Sequence, residues 1–283
     1  MAVHAHPDDE SSKGAATYAY YTSLGDEVMV VSCTGGERGD ILNDQLPDLA
    51  MARRDLAGLR RREMAAAQKV MGIQHRWLGY VDSGMAREDG SLPAGSFASI
   101  PLETSAAPLV ALVRSFKPHV MITYDENGGY PHPDHIRAHV VGVEAYRAAA
   151  DPARYPEAGE AWQVSKLYYD RIMNSVRLDA VYDELLTSEP GSPLIEKLRE
   201  MRDWMSARTF EATTRIPAGD FFDTRDEALR SHASQVAPDS PFFFWPNDVQ
   251  RRAWPTEDFQ LIDSKVNTQM PETDLFAGIE GAE

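Results

Sequence analysis

The chain has 283 residues, 43% of them hydrophobic and 25% charged, which suits a soluble globular protein of one large domain or one domain with an appendage. A net charge of −16 at pH 7 repels phosphate backbones, so a small molecule rather than nucleic acid is the expected partner. No run of about 18 apolar residues spans a membrane and no secretory signal is evident, and with Cys33 the single cysteine, no intrachain disulfide forms; a reducing cytoplasm is expected.

In chain order, "MAVHA" predicts a short strand and "SSKGAATYAYYTSLG" a helix, with Ser11 or Ser12 as its cap and Gly25 as its stop. "EVMVVSC" is a continuous apolar run, as in a strand covered on both faces. A long helical stretch covers 46–72 and ends at Gly72; "HRWLGYV" is a strand. The stretch 102–117 is a helix closed by Pro118, "HVMITY" a buried strand, 133–150 a helix opened by Pro133, and "VSKLYYDRI" a further strand. Alternating strands and helices predict an α/β, Rossmann-like doubly wound sheet, mostly parallel, with helices on both faces. The expected Rossmann-like core is 1–174. The expected C-terminal helical and loop extension is 175–283, packed on the core in one compact domain and helping to form the substrate pocket. Helices are predicted over 175–188, 192–207 and 224–236, and 237–259, rich in proline and aromatics, reads as an ordered, packed loop.

In open α/β sheets, ligands bind at the carboxyl ends of the strands, so the strand-to-helix junctions are the places to inspect. Two carry dense ionisable clusters: "HAHPDDES" after the first strand and "TYDENGGYPHPDH" after the fourth. His6 and Asp9 have H-x-x-D spacing, and His132 and His135 have H-x-x-H spacing. A catalytic zinc takes three protein ligands and keeps one position open; two from the first loop and one from the fourth meet that count. The remaining acids and imidazoles are then free to move protons. "CTGGERGD" lacks the order of a dinucleotide fingerprint, and its glycines are expected to make a tight turn near the site.

"AHPDDE" with a later "HPDH" resembles the LmbE-like zinc deacetylase superfamily, which includes the N-acetylglucosaminylphosphatidylinositol de-N-acetylases. "CTGGERG", "KPHVMITYDENGGYPHPDH", "TTR", "WPTEDF" and "LFAGI" are similar to its mycothiol branch, so the resemblance covers nearly the whole chain. It implies zinc held by His6, Asp9 and His135; iron could take the same place in the cell, since His and carboxylate ligands tolerate several divalent ions. It implies Asp8 as general base, and His132 as general acid or stabiliser of the oxyanion. It implies Asp134 orienting His132 by accepting its second N–H, and Tyr130 polarising the substrate carbonyl. Arg60 and Asp82 match groups that hold sugar and inositol hydroxyls. Lys13, in "SSKGAA", distinguishes the amidase-like from the deacetylase-like pattern and implies a contact with the conjugate's carbonyl or cysteinyl arm. Gln235 and His232 of "SHASQ" are expected to reach the substrate from the C-terminal region. His4 reads as either a support for the site or a core residue; His75, His119 and His139 read as structural.

The implied reaction is hydrolysis of the amide of a thiol-sugar conjugate, a mycothiol S-conjugate, to glucosaminyl-inositol and an N-acetylcysteine S-conjugate, as detoxification. The alternative is deacetylation of the N-acetylglucosaminyl-inositol precursor. A reading from another class is a non-catalytic Rossmann-like small-molecule-binding protein, which predicts no stoichiometric zinc. No membrane partner is expected; oligomeric state is open, a homo-oligomer included.

Overall fold

A computed structural model describes residues 1–205 and 212–281. Five strands of the first part are β1 (Ala2–His4), β2 (Met29–Thr34), β3 (Gln74–Tyr80), β4 (Val120–Thr123) and β5 (Lys166–Asp170). Two later strands, β6 (Thr214–Ile216) and β7 (Glu257–Ser264), join them in one seven-stranded sheet of order β3-β2-β1-β4-β5-β7-β6. The first five run parallel; β7 pairs antiparallel with β5, and β6 with β7. The fold is thus the doubly wound, mostly parallel α/β sheet read from the sequence.

Side chains alternate across the sheet, and each face has its own core. Val3, Ala5, Val31, Cys33 and Met121 pack against α5 (Leu102–Phe116) and α6 (Pro133–Ala148), through Leu109, Val113, Val141 and Ala145. On the other face Ala2, Val30 and Ile122 meet α2 (Ala15–Leu24), α4 (Leu56–Met71) and α9 (Phe222–Ser231), through Ala16, Tyr18, Met64 and Phe222. Each large apolar side chain so buried contributes about 1.5–3 kcal/mol, which explains the near-continuous apolar strands. A third cluster joins α7 (Ser175–Ser188), α8 (Leu194–Met205) and α10 (Asn247–Ala253) through Leu178, Leu198, Met201, Trp245 and Val249.

Four stretches differ from the sequence reading, one of them the helix predicted over 224–236, which is α9 and stops at Ser231. The first helix is broken at Lys13–Gly14 into α1 (Asp9–Ser12) and α2. The stretch 46–72 divides at Asp55 into α3 (Leu49–Arg54) and α4, because the Asp55 carboxylate accepts the N–H of Gly58 and caps a new helix. The predicted loop 237–259 holds α10 and the start of β7, which lies inside the core sheet. Strand β7 opens with two buried acids, Glu257 and Asp258, which conceal the usual alternation. Their charges are accommodated by the N–H of Thr17 on Glu257 (2.8 Å) and by Asn174 and Trp254 on Asp258 (2.9 and 3.0 Å). The predicted helix 192–207 is α8, and its last two residues fall outside the described residues. No described helix is long and apolar enough to cross a membrane.

Candidate active site

The order of the strands reverses between β1 and β4, and the loops leaving these two strands meet at that switch point. In the first loop the N–H of His6 donates to Asp9 Oδ2 (2.9 Å), tightening the turn around Pro7. Asp8 then takes a left-handed backbone, φ 104°, and opens α1. Arg60 on α4 reaches in beneath it. It donates to the carbonyl of Pro7, to Asp8 Oδ2 (2.9 Å) and to the carbonyl of Gly36 (2.7 Å). Gly36 lets the guanidinium pass, since a Cβ there would lie 2.0 Å from Arg60 Nη1.

In the loop after β4, Asp125 Oδ1 accepts the N–H groups of Asn127 and Gly129 (2.9 and 3.0 Å), and Arg171 pairs with its other oxygen. The turn brings the carbonyl of Gly128 to His135 Nδ1 at 3.0 Å. Only glycine fits there, because an added Cβ would stand 2.6 Å from the Cβ of His135. His132 caps α6: its Nδ1 accepts the N–H of Asp134 at 3.1 Å. Tyr124 stacks on the His135 ring at 4.6 Å.

His6, Asp9 and His135 thereby converge, with one potential ligand atom of each within 4.8 Å of the others. His135 Nε2 stands 3.4 Å from Asp9 Oδ2, and His6 Nδ1 stands 3.7 Å from the same oxygen. With its Nδ1 directed at Gly128, His135 presents Nε2, a fully buried atom with no hydrogen-bond partner among the described residues. A buried lone pair left without a partner, beside an imidazole and a carboxylate, fits a divalent cation. On the far side of His6, Nε2 faces Asp134 Oδ2 (3.3 Å) and Asp82 Oδ1 (3.7 Å), the carboxylate support that commonly orients a metal-binding histidine. Burial disfavours charge on His6, yet Asp134, Asp82 and Asp9 together push its pKa up to about 10. Surroundings that so favour an imidazolium favour a metal cation in its place. His6, His132 and Asp134 form a second group close enough to hold an ion; there Asp134 Oδ2 faces His6 and accepts the N–H of Ser83 (2.8 Å), while Asp134 Oδ1 is buried with no hydrogen-bond partner among the described residues.

Burial raises the pKa of Asp8; Arg60 opposes the rise and Asp9 adds to it. Burial would raise Asp9 too, but His135, Lys13 and His6 hold it well below the usual range. Burial and the charge of His6 lower His132. Asp8, Asp9, Lys13, Tyr130 and Gln235 line one cavity of about 360 Å³. Its other walls are mostly apolar: Leu42, Ile172, Met173, Trp204, Phe242, Phe243 and Trp245. Tyr130 is half-exposed at its edge, with its ring 4.4 Å from that of His135. Lys13 Nζ donates to Asp9 Oδ1 at 2.6 Å, and Gln235 donates to the carbonyl of Asp40 at 3.1 Å.

Four expected roles are corrected, that of Arg60 in holding sugar hydroxyls among them. The Asp134 carboxylate faces His6 and Ser83; its link to His132 runs through its backbone N–H, so it does not accept a proton from that ring. Asp82 is 2% exposed and its oxygens accept the N–H groups of Arg38 (3.0 Å) and Gly84 (2.7 Å), which removes it from contact with sugar hydroxyls. His232 is fully buried against Glu10 and does not reach the cavity. Arg60, 3% exposed, holds the first loop through its three contacts. His4 is a core residue between the hydroxyls of Tyr18 and Tyr124 (3.0 and 3.2 Å). His139 bonds the carbonyl of Tyr124 (3.0 Å), and His75 bonds Ser32 (2.9 Å). Sequence reasoning missed Asp170, whose pKa burial pushes up to about 7 and which lines the cavity beside Arg171. It closes β5, so the strand-end rule already pointed to it.

Residues 1–146 match the GlcNAc-PI de-N-acetylase (PIG-L) family. Over 99% of the chain, the sequence is 47% identical to a mycothiol S-conjugate amidase of Streptomyces coelicolor, 96% of which is covered. The chain belongs to the GlcNAc-PI de-N-acetylase family. It is accordingly an amide-cleaving hydrolase. Within the family it is also 39% identical, over 99% of the chain and 96% of the relative, to a 1D-myo-inositol 2-acetamido-2-deoxy-alpha-D-glucopyranoside deacetylase of Streptomyces avermitilis. An N,N'-diacetylchitobiose deacetylase from Pyrococcus horikoshii shares the fold, with a TM-score of 0.61 and 18% identity, covering 92% of this chain and 82% of that one.

Proposed function

We propose that this enzyme is a zinc-dependent amidase that cleaves mycothiol S-conjugates to glucosaminyl-inositol and an N-acetylcysteine S-conjugate. The observation that carries this reading is the cavity: Asp8 and Asp9 open into about 360 Å³ of largely apolar space. Both candidate substrates carry the same glucosaminyl-inositol, but only the conjugate adds a cysteinyl arm with a sulfur substituent that apolar walls would cover. The greater identity to the amidase than to the deacetylase, 47% against 39%, supports the same choice.

His6, Asp9 and His135 would hold the ion. When bound, it supplies Lewis acidity, which polarises a carbonyl and makes water a nucleophile near neutral pH. Asp8, fixed by Arg60 through one oxygen, takes the proton of the attacking water. Tyr130, at the cavity edge beside His135, donates to the amide carbonyl. His132 stabilises the oxyanion that develops there. The tetrahedral intermediate collapses when the amine is protonated by Asp8 or His132. Lys13 neutralises Asp9 and faces the cysteinyl arm.

The second reading is deacetylation of the N-acetylglucosaminyl-inositol precursor, favoured by the deacetylase relative. Supplying both purified substrates to the metal-replete enzyme decides between them. A larger kcat/KM for conjugate cleavage is expected; faster acetate release overturns the choice. Metal analysis of the purified protein tests the ion, with one zinc per chain expected.

A further inference from the structure

We infer that Glu10 and His232 form a buried clamp that positions Asp8 for proton transfer, an inference that rests on Asp8 being the base. Asp8 is one of three non-glycine residues with positive φ among the described residues, and a side chain there is strained. Such a backbone persists only where its surroundings hold it. Arg60 holds the carboxylate end. The backbone end is held by Glu10, whose Oε2 accepts the N–H of Asp8 at 2.9 Å. Glu10 Oε1 accepts the hydroxyl of Ser11 (2.5 Å) and Nε2 of His232 (2.7 Å).

Glu10 and His232 are both completely buried, and 222 residues separate them. His232 ends α9, which packs on α1 and α4. Its Nδ1 is buried with no hydrogen-bond partner among the described residues, so the polar contact of the ring goes to Glu10 alone. A carboxylate buried this deeply needs its partners, and without the imidazole it would turn away from the N–H of Asp8. The chain therefore runs from α9 through His232 and Glu10 to the backbone of Asp8. Neither residue lines the cavity, so both are positioning residues; a misplaced base costs turnover rather than binding.

The test compares zinc-replete Glu10→Gln, His232→Phe and His232→Gln with the parent on a mycothiol S-conjugate, with zinc content measured in each. Expected for Glu10→Gln and His232→Phe is a fall in kcat of about tenfold to a hundredfold with KM and zinc content little changed. His232→Gln keeps an N–H donor for Glu10 and should recover most of the kcat. If kcat in the folded, zinc-replete variants stays within about twofold of the parent, the pair is merely structural and the inference fails. It fails equally if activity falls only in step with zinc content. Should Glu10→Gln not fold, the ratio of kcat between His232→Gln and His232→Phe decides: a ratio near one overturns the clamp. Asp8→Asn separates the two levels. If it retains turnover, the base assignment itself is wrong; if it is inactive while the Glu10 and His232 variants are silent, only the clamp is lost.

Discussion

The two sides of the cavity are built on opposite principles. The rim at β1 and β4 is polar, buried and tightly specified: each ring or carboxylate has a named partner, from Gly128 on His135 to Arg60 on Asp8. The opposite wall comes from α8, from the loop before α10 and from single residues such as Leu42 and Met173, and it is mostly apolar. Directional contacts position reacting groups to fractions of an ångström, whereas apolar surface only needs volume and area. On the proposed reading, chemistry falls to the rim and substrate preference to the wall.

That contrast can be broken in four ways. The largest effect is expected from removing the metal: chelation, or His135→Ala, should reduce amide cleavage to background, with added zinc restoring only the chelated parent. Activity that survives complete removal of the ion would dissolve the division between rim and wall. Next is Asp8→Asn, for which kcat should fall about 10²–10⁴-fold while zinc stays bound. A smaller effect is expected from the wall. Phe242→Ala should lower kcat/KM by about tenfold for a conjugate with a bulky apolar sulfur substituent, and hardly change it for a small one. Equal losses on both conjugates would mean that Phe242 shapes the rim as well. The gentlest change is with pH. Burial raises Asp8, so it keeps its proton at a higher pH than an ordinary aspartate, and the base is lost as pH falls through that raised value. The acid limb of kcat/KM should therefore begin above the usual aspartate range of about 4, and fall about tenfold per pH unit.

How much was legible beforehand follows the same divide. "HPDDE" and "HPDH" are short and local, and each lies in a strand-to-helix junction, so the convergence of His6, Asp9 and His135 could be anticipated from spacing and resemblance. The partner of each polar group could not. Asp134 was expected to serve His132 and serves His6 instead; Asp82 was expected to meet substrate and is buried behind the same ring. Such pairings depend on side-chain direction across loops far apart in the chain. Strand β7 was missed because buried acids open it, and their partners, Thr17 and Asn174, lie far away in sequence.

Local pattern determined the doubly wound sheet, because apolar strands alternating with helices close only in a few ways, and it determined the two His/Asp motifs of the candidate site, because each is contiguous. Tertiary packing alone decided that Glu10 meets His232, that β7 completes the sheet beside β5, and which apolar residues wall the cavity. Those contacts join segments that are distant along the chain, and a hydrogen bond or a van der Waals contact acts through space with no trace in local periodicity.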